Sequence, residues 1–319
     1  MITSDLTAAT QALKHNGIIA MPTETVYGLA GNALKPVVIE KIYALKQRPA
    51  HNPLIVHLRS TEAITEVAAE IPETAWKLAE HFWPGPLTLV LKKQDAVPDI
   101  VTAGKPTVAV RVPNHPVALD LLAQLDFPLA APSANPFASI SPTSAEHVEK
   151  YFGEQLEVIL DGGECIRGLE STIIGFEGEA PIVYRLGALS LEQIENIVGS
   201  VQTMTDNETA PEAPGMLGRH YAPETDIIVS DNIAQALAAN AGKSVGLMLF
   251  RDDTPGSGFT HAEVLSSSGD LEEAASRFYA ALHRLDSLDI DLIVAEKMPE
   301  NGLGKTMNDK LRRATHKDP

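Results

Sequence analysis

The sequence predicts a mixed α/β protein of two domains, and three observations carry that prediction. Short apolar or β-branched runs bounded by Gly and Pro alternate with segments of helical periodicity. Runs at 156–160, 171–176 and 182–186 follow the helical segment at 143–151 with no further helix signal between them, so the first sheet is not purely parallel. Periodicity then fails from 199 to 224, where Thr, Asp, Asn, Glu, Pro and Gly dominate, and resumes beyond. A chain of 319 residues is long enough for two cores. The expected divisions are a first domain at 1–198, an interdomain linker at 199–224 and a smaller α/β domain at 225–319.

A short amphipathic helix is expected over 5–15, capped by Ser4 and stopped at Gly17, followed by a strand over 18–21 and a loop from Pro22. Helices follow over 36–46, with Pro at its first position, 73–82, 115–125 and 143–151. Strands are expected over 54–58, 87–91, 107–112, 156–160, 171–176 and 182–186. Past the linker, strands over 226–230, 244–250, 262–266 and 291–295 alternate with helices over 232–241, 271–285 and 306–313.

The formal net charge is −17, with 14 basic and 23 acidic residues in 1–200 and 11 and 19 in 201–319. Neither part offers a bulk basic surface, so stable nucleic-acid binding is not expected. No run approaches the roughly 18–20 apolar residues of a membrane span. The single Cys165 and the absence of a leader-like start imply a reducing, cytoplasmic location.

Gly304, Lys305 and Thr306 follow an expected strand and open a helix, the setting of a phosphate-binding loop, but Pro299 stands where the first glycine of that motif belongs. A helix start is the better reading. Chemistry concentrates instead in three stretches free of Asp and Glu, at 41–60, 100–119 and 127–145. The first carries Lys41, Lys46, Arg48, His51, His57 and Arg59, the second Lys105 and Arg111, and the third is rich in hydroxyls around Ser133, Asn135 and Ser141. Such a combination suits an anionic ligand: Arg forks onto phosphate or carboxylate, and neutral donors complete the shell. The competing reading makes Lys41, Lys46 and Arg48 a solvated helix face and end, and His57 a satisfied core histidine.

Together these stretches resemble one family, the YrdC-type threonylcarbamoyl-AMP synthases. The matching segments are MPTETVYGL at 21–29, KQR at 46–48 leading into NPLIVH at 52–57, FWPGPLT at 82–88, VAVRVP at 108–113, APSAN at 131–135, GLEST at 168–172 and YRLG at 184–187. PGMLGRHYAP at 214–223 and GLGKTMN at 302–308 are similar to the long, two-domain form. The resemblance implies an open, twisted mixed sheet of the YrdC-like type with a second, smaller Rossmann-like α/β domain. It implies synthesis of L-threonylcarbamoyladenylate and pyrophosphate from L-threonine, bicarbonate or CO2, and ATP. The product would feed tRNA threonylcarbamoyl-transfer machinery, which makes N6-threonylcarbamoyladenosine at position 37 of ANN-decoding tRNAs. Mg2+ would be carried by ATP and pyrophosphate, with no fixed metal site on the protein.

Carried over residue by residue, Lys46, Arg48, Ser133 and Asn135 are the expected catalytic group holding the phosphates. Arg48, Asn52, Thr107, Ser133, Ser141, Arg185 and Tyr221 are the expected ATP contacts, and Thr25, His57, Arg111, Ala131 and Ser171 the threonine contacts. The linker, with Pro214, Gly215, Gly218, Arg219, His220, Tyr221 and Pro223, is read as a lid over bound nucleotide. The alternatives are an RNA-binding or ribosome-maturation module, which the acidic balance disfavours, and a carbamoyl-adenylate-forming enzyme working from carbamoyl phosphate. Relatives of the latter kind need zinc-finger modules that one cysteine cannot furnish.

Overall fold

A computed structural model describes residues 1–205, 213–216 and 220–316. Gly218 and Arg219 of the expected lid lie outside the described residues. The strands of the first domain are β1 (Ile2–Thr3), β2 (Ile19–Met21), β3 (Gly28–Asn32), β4 (Ile55–His57), β5 (Leu87–Lys92), β6 (Thr107–Arg111), β7 (Leu129–Ala130), β8 (Ile159–Leu160), β9 (Thr172–Glu177), β10 (Ala180–Arg185) and β11 (Gln202–Thr203). They form one sheet in the order β1-β8-β2-β3-β7-β4-β6-β5-β9-β10-β11. It is mixed: β4/β6 and β5/β9 pair parallel, whereas β5/β6 and β9/β10 pair antiparallel.

Its helices are α1 (Leu6–Lys14), α2 (Pro36–Lys46), α3 (Glu73–Phe82), α4 (Asp99–Thr102), α5 (Pro116–Ala123), α6 (Ala145–Phe152) and α7 (Leu191–Val198). Residues from α2, α3, α6 and α7 share a core with one face of the sheet, through Val56, Leu89, Val110, Ile174 and Val183. The opposite face is covered in two different ways. Around β2, β7 and β8 it packs against α1 and α5. Around β4, β5, β6 and β9, Ile55, Val90, Ala109 and Ile173 meet Ala213 and Met216 of the linker instead of a helix. The site described below lies on this helix-free part of the sheet.

Several local expectations change. Asp5, not Ser4, caps α1, accepting from the Thr7 and Ala8 amides. β3 falls where a loop was expected, because its sequence, GLAGN, has no β-branched residue. Gly31 is required there by close packing, since a Cβ would lie 2.5 Å from the Val38 side chain. The helix α7 was not expected, although its Ser190–Gln193 capping box is legible in the sequence. The span expected to be linker from 199 begins with β11, which pairs parallel with β10.

The second domain holds β12 (Ile227–Ser230), α8 (Ile233–Ala239), β13 (Val245–Leu249), β14 (His261–Val264), α9 (Leu271–Asp286), β15 (Leu292–Glu296) and α10 (Leu303–Ala314). Its all-parallel sheet runs β12-β15-β13-β14, with α8 on one face and α9 and α10 on the other. That second face also buries Val26, Ile140, Leu169, Ala188 and Tyr221, so the two domains share a core. The GKT segment proves to be an interdomain fastener. Thr306 donates to the Gly187 carbonyl at 3.1 Å, Lys305 pairs with Glu192 at 2.8 Å, and a Cβ on Gly304 would lie 1.9 Å from the Pro299 carbonyl oxygen.

The domains also meet through two histidines, His147 of α6 and His283 of α9, whose rings stack at 3.8 Å. Burial pushes His147 down to about 4 and His283 to about 3, so both are neutral at pH 7. The unfolded chain takes up protons below about 6.5, and the folded chain does not until near 3–4. Their contribution is therefore fully present above about 6.5 and lost as pH falls below it, at up to roughly 1.4 kcal/mol per pH unit for each ring. Thermal melts from pH 7 to pH 4.5 should show a falling Tm, with a shallower fall in His283→Gln; parallel pH profiles for the two proteins would contradict this.

Candidate active site

A cavity opens on the helix-free part of the sheet, walled by residues of both the sheet and the linker. His57 and Arg111 reach it from adjacent positions at the carboxyl ends of the parallel strands β4 and β6. Thr23 and Thr25 come from the loop after β2, Arg48 from just beyond α2, Ala131, Pro132 and Ser133 from the loop after β7, and Glu170 and Ser171 from the approach to β9. Arg185 ends β10, where a register shift between Val183 and Arg185 breaks the alternation. Val183 belongs to the opposite core, whereas Tyr184 packs toward the linker and Arg185 lines the cavity. The bulge thus turns the guanidinium inward. Pro214, Gly215, His220 and Tyr221 of the linker complete the wall.

Three buried guanidinium groups dominate the electrostatics. Arg48 donates to the Asn52 carbonyl at 3.0 Å, the Asn52 side-chain oxygen at 2.6 Å and the Pro53 carbonyl at 2.8 Å. Burial pushes its pKa down to about 10, which leaves it charged at neutral pH. Arg185 donates to the Ser171 carbonyl at 2.8 and 3.1 Å and to the Ser171 hydroxyl at 3.0 Å. Arg111 donates to Thr25 Oγ1 at 2.9 Å and to the Gly85 carbonyl at 3.2 Å. It also meets the buried Glu24 carboxylate at 2.6 Å, with Nη2 too poorly aligned to make a hydrogen bond. Arg48 and Arg185 are therefore held by neutral oxygens, and their charges face the cavity without a carboxylate among their described partners.

His57 is buried, and desolvation with Arg111 beside it pushes its pKa down to about 3, so the ring is neutral. Its Nδ1 has no hydrogen-bond partner, nor have Arg111 Nη2, His220 Nδ1 and the Tyr221 hydroxyl. These orphaned atoms mark the wall as one that suits a polar ligand. A satisfied core histidine is not what His57 is.

The structure brings together Arg48, Ser133, Arg185 and Tyr221 of the expected nucleotide residues, and Thr25, His57, Arg111, Ala131 and Ser171 of the expected threonine residues. It does not bring Lys46, Asn52, Thr107, Asn135 or Ser141 to the cavity wall. Lys46 is 1% exposed, and its ammonium donates to the Ser133 and Asn135 carbonyls and to Asn135 Oδ1. It holds the Ser133–Asn135 loop from behind, and burial with Arg48 beside it lowers its pKa well below the lysine range. Asn135 is turned away from the cavity, receiving Lys46 and donating from Nδ2 to the Ser139 carbonyl at 2.8 Å. Asn52 serves Arg48. Ser141 donates to Glu170 Oε1 at 2.6 Å. Thr107 begins β6, four residues from Arg111 at the far end of the strand.

Sequence reasoning missed Glu24, Thr88 and Glu170. Looking for stretches without acids passed over the carboxylates that position the site: Glu24 against Arg111, and Glu170 under Ser141 and Tyr279. Thr88 and Ser171 share a hydrogen bond at 2.7 Å. Both Glu24 and Thr88 lie inside the matched segments at 21–29 and 82–88.

Comparison with known proteins places the chain in a family. The Sua5/YciO/YrdC family model, described as telomere recombination, matches residues 11–187, and the model described as threonylcarbamoyl-AMP synthase, C-terminal domain, matches 189–315. The threonylcarbamoyl-AMP synthase of Pyrococcus abyssi is 42% identical over 95% of this chain and 92% of its own length. That of Bacillus subtilis is 37% identical over 96% and 91%. The crystal structure of P. abyssi Sua5 complexed with L-threonine superposes with a TM-score of 0.90 at 39% identity, covering 97% of this chain and 94% of that one. With both family models matched in order and the same two-domain fold, the chain belongs to the Sua5/YciO/YrdC family, in the form that carries the threonylcarbamoyl-AMP synthase C-terminal domain.

Proposed function

We propose that this chain is an L-threonylcarbamoyladenylate synthase, condensing L-threonine, bicarbonate or CO2, and ATP into threonylcarbamoyl-AMP and pyrophosphate. The observation that carries the reading is the convergence, on one cavity wall, of Arg48 and Ser133 with Arg111, Thr25 and His57. The first pair suits phosphate and the second group suits a small amino acid. Arg111 takes the threonine carboxylate, Thr25 and Ser171 its amine or hydroxyl, and Ala131 contributes backbone. Arg48, Ser133, Arg185 and Tyr221 surround the nucleotide, with Lys46, Asn52 and Asn135 holding the phosphate-facing groups in place.

In this mechanism the threonine amine forms an N–C bond to CO2 and gives up a proton to solvent, yielding N-carboxythreonine. A carbamate oxygen then attacks the α-phosphorus of ATP, and the bond from that phosphorus to the bridging oxygen breaks to release pyrophosphate. Two anions must meet, and Arg48 and Arg185, charged and desolvated, stabilise the charge that gathers between them. Glu24 and Glu170 are already engaged by Arg111, Ser141 and Tyr279. No group of three His, Cys, Asp or Glu converges among the described residues. This donor set does not fit a protein-held metal; Mg2+ enters with ATP.

The product is an activated acyl donor, which we assign to the tRNA threonylcarbamoyl-transfer machinery. No described helix is long and apolar enough to cross a membrane, and a cytoplasmic reaction is part of the same proposal.

Pyrophosphate release measured with purified protein should require both threonine and bicarbonate; release with ATP alone at the full rate would overturn the reading. Arg48→Lys, which loses the planar fork onto Asn52, should lower kcat/KM for ATP by roughly 10- to 100-fold when assayed at a temperature where the variant is folded. Lys46→Met should act differently. It leaves two buried acceptors and one part-buried acceptor unpaired and should cost about 3 kcal/mol of stability by denaturant titration. A Lys46→Met protein of full stability would contradict the scaffolding role.

A further inference from the structure

The second domain touches the cavity wall at two separate points. On α9, the buried Tyr279 places its hydroxyl 2.9 and 3.1 Å from the two carboxylate oxygens of Glu170, a wall residue. The same carboxylate accepts from Ser141, whose carbonyl lies 3.1 Å from His283 Nε2, one turn further along α9. On α10, the fully buried Lys310 places Nζ 4.6 Å from the centroid of the Tyr221 ring and donates to the Leu186 carbonyl at 3.0 Å. Tyr221 closes the cavity from the linker side in a left-handed backbone conformation, φ 63°, which costs free energy in a residue other than glycine. That conformation persists only if its surroundings hold it. The ring is packed against His220 at 4.0 Å and Tyr279 at 5.8 Å, with the Lys310 cation over its face.

We propose that the C-terminal domain is a working part of the nucleotide end of this site: Lys310 latches Tyr221 over the cavity, and Tyr279 fixes Glu170 and Ser141 in the wall beneath it. Neither side chain lines the cavity, so both are positioning residues. The inference rests on the reading above for the identity of the ligand, ATP. Losing a desolvated cation from the face of Tyr221 should weaken nucleotide binding roughly tenfold.

The latch has its own pH signature. Burial pushes Lys310 down to about 8, with the facing Glu170 and Asp309 carboxylates working against that shift and Arg185 and Arg313 reinforcing it. The tyrosine hydroxyls of Tyr221 and Tyr279 are pushed above their ordinary value by burial, and Asp309 is held below the carboxylate range, so none of these three titrates near pH 8. Lys310 loses its charge, and the latch its grip, as pH rises through that value.

The test is calorimetric binding of a non-hydrolysable ATP analogue to the full chain at pH 7 and pH 9, with threonine KM and pyrophosphate release measured alongside. Lys310→Met should bind the analogue roughly tenfold more weakly at pH 7 with threonine KM unchanged. Wild type should weaken between pH 7 and pH 9, whereas Lys310→Arg should hold its affinity at both. Tyr279→Phe should also weaken the analogue selectively. A folded Lys310→Met that binds like wild type overturns the latch. If that variant does not fold, a wild-type affinity that is flat from pH 7 to pH 9 overturns it instead. Wild type that binds the analogue yet makes no threonylcarbamoyl-AMP retires the reaction and leaves the latch standing. Normal synthesis with unaltered binding in both Lys310→Met and Tyr279→Phe retires the latch alone.

Discussion

The structure depends on keeping three guanidinium groups charged inside the protein. Removing a cation from water is costly unless fixed dipoles or counter-charges replace the lost hydration. Here the replacement is mostly neutral: carbonyl and side-chain oxygens of Asn52 and Pro53 around Arg48, and of Ser171 around Arg185. Of the three, Arg111 alone meets a carboxylate among the described residues, that of Glu24. Such a wall is solvated well enough to fold and remains attractive to anions. The chain's charge of −17 does not cancel that attraction, because charges beyond about 8 Å are largely screened at physiological salt.

That constraint explains the architecture around the cavity. A helix laid over β4, β6 and β9 would fill the space the ligand needs, and an uncovered sheet would expose the arginines to water. The chain resolves this with the linker, whose Ala213 and Met216 join the core on that face while Gly215, His220 and Tyr221 form the wall. A linker alone has little to hold it. The second domain supplies the hold through the core it shares with Val26, Leu169 and Tyr221 and through bonds from Tyr279, His283, Thr306 and Lys310. In this chain the cavity is walled by one domain and the linker, and that wall is braced by the other domain.

Much of this was legible in the sequence, and what was not has physical causes. The helices over 36–46 and 73–82 follow their apolar spacing and end signals to the residue. β3 escaped because its two glycines dilute the strand signature, Gly31 serving close packing against α2 and Gly28 lying against Ala131. Arg48, Arg111 and Ser133 stand in the acid-free stretches, and all three line the cavity. Lys46, Asn135 and Ser141 stood in those same stretches without reaching the cavity, since a side chain next to a ligand-facing residue can as readily brace the loop as touch the ligand. Glu24 and Glu170 were invisible for the converse reason: a carboxylate that orients an arginine or a serine looks, in sequence, like a charge that should not be there.

The central claim is that nucleotide and amino acid meet at this one wall. A crystal structure of the protein with L-threonine and a non-hydrolysable ATP analogue tests it most directly. The account predicts the threonine carboxylate on Arg111 and the triphosphate against Arg48 and Ser133, under a closed Tyr221. Nucleotide bound at the strand ends of the second domain, or threonine away from Arg111, would contradict it.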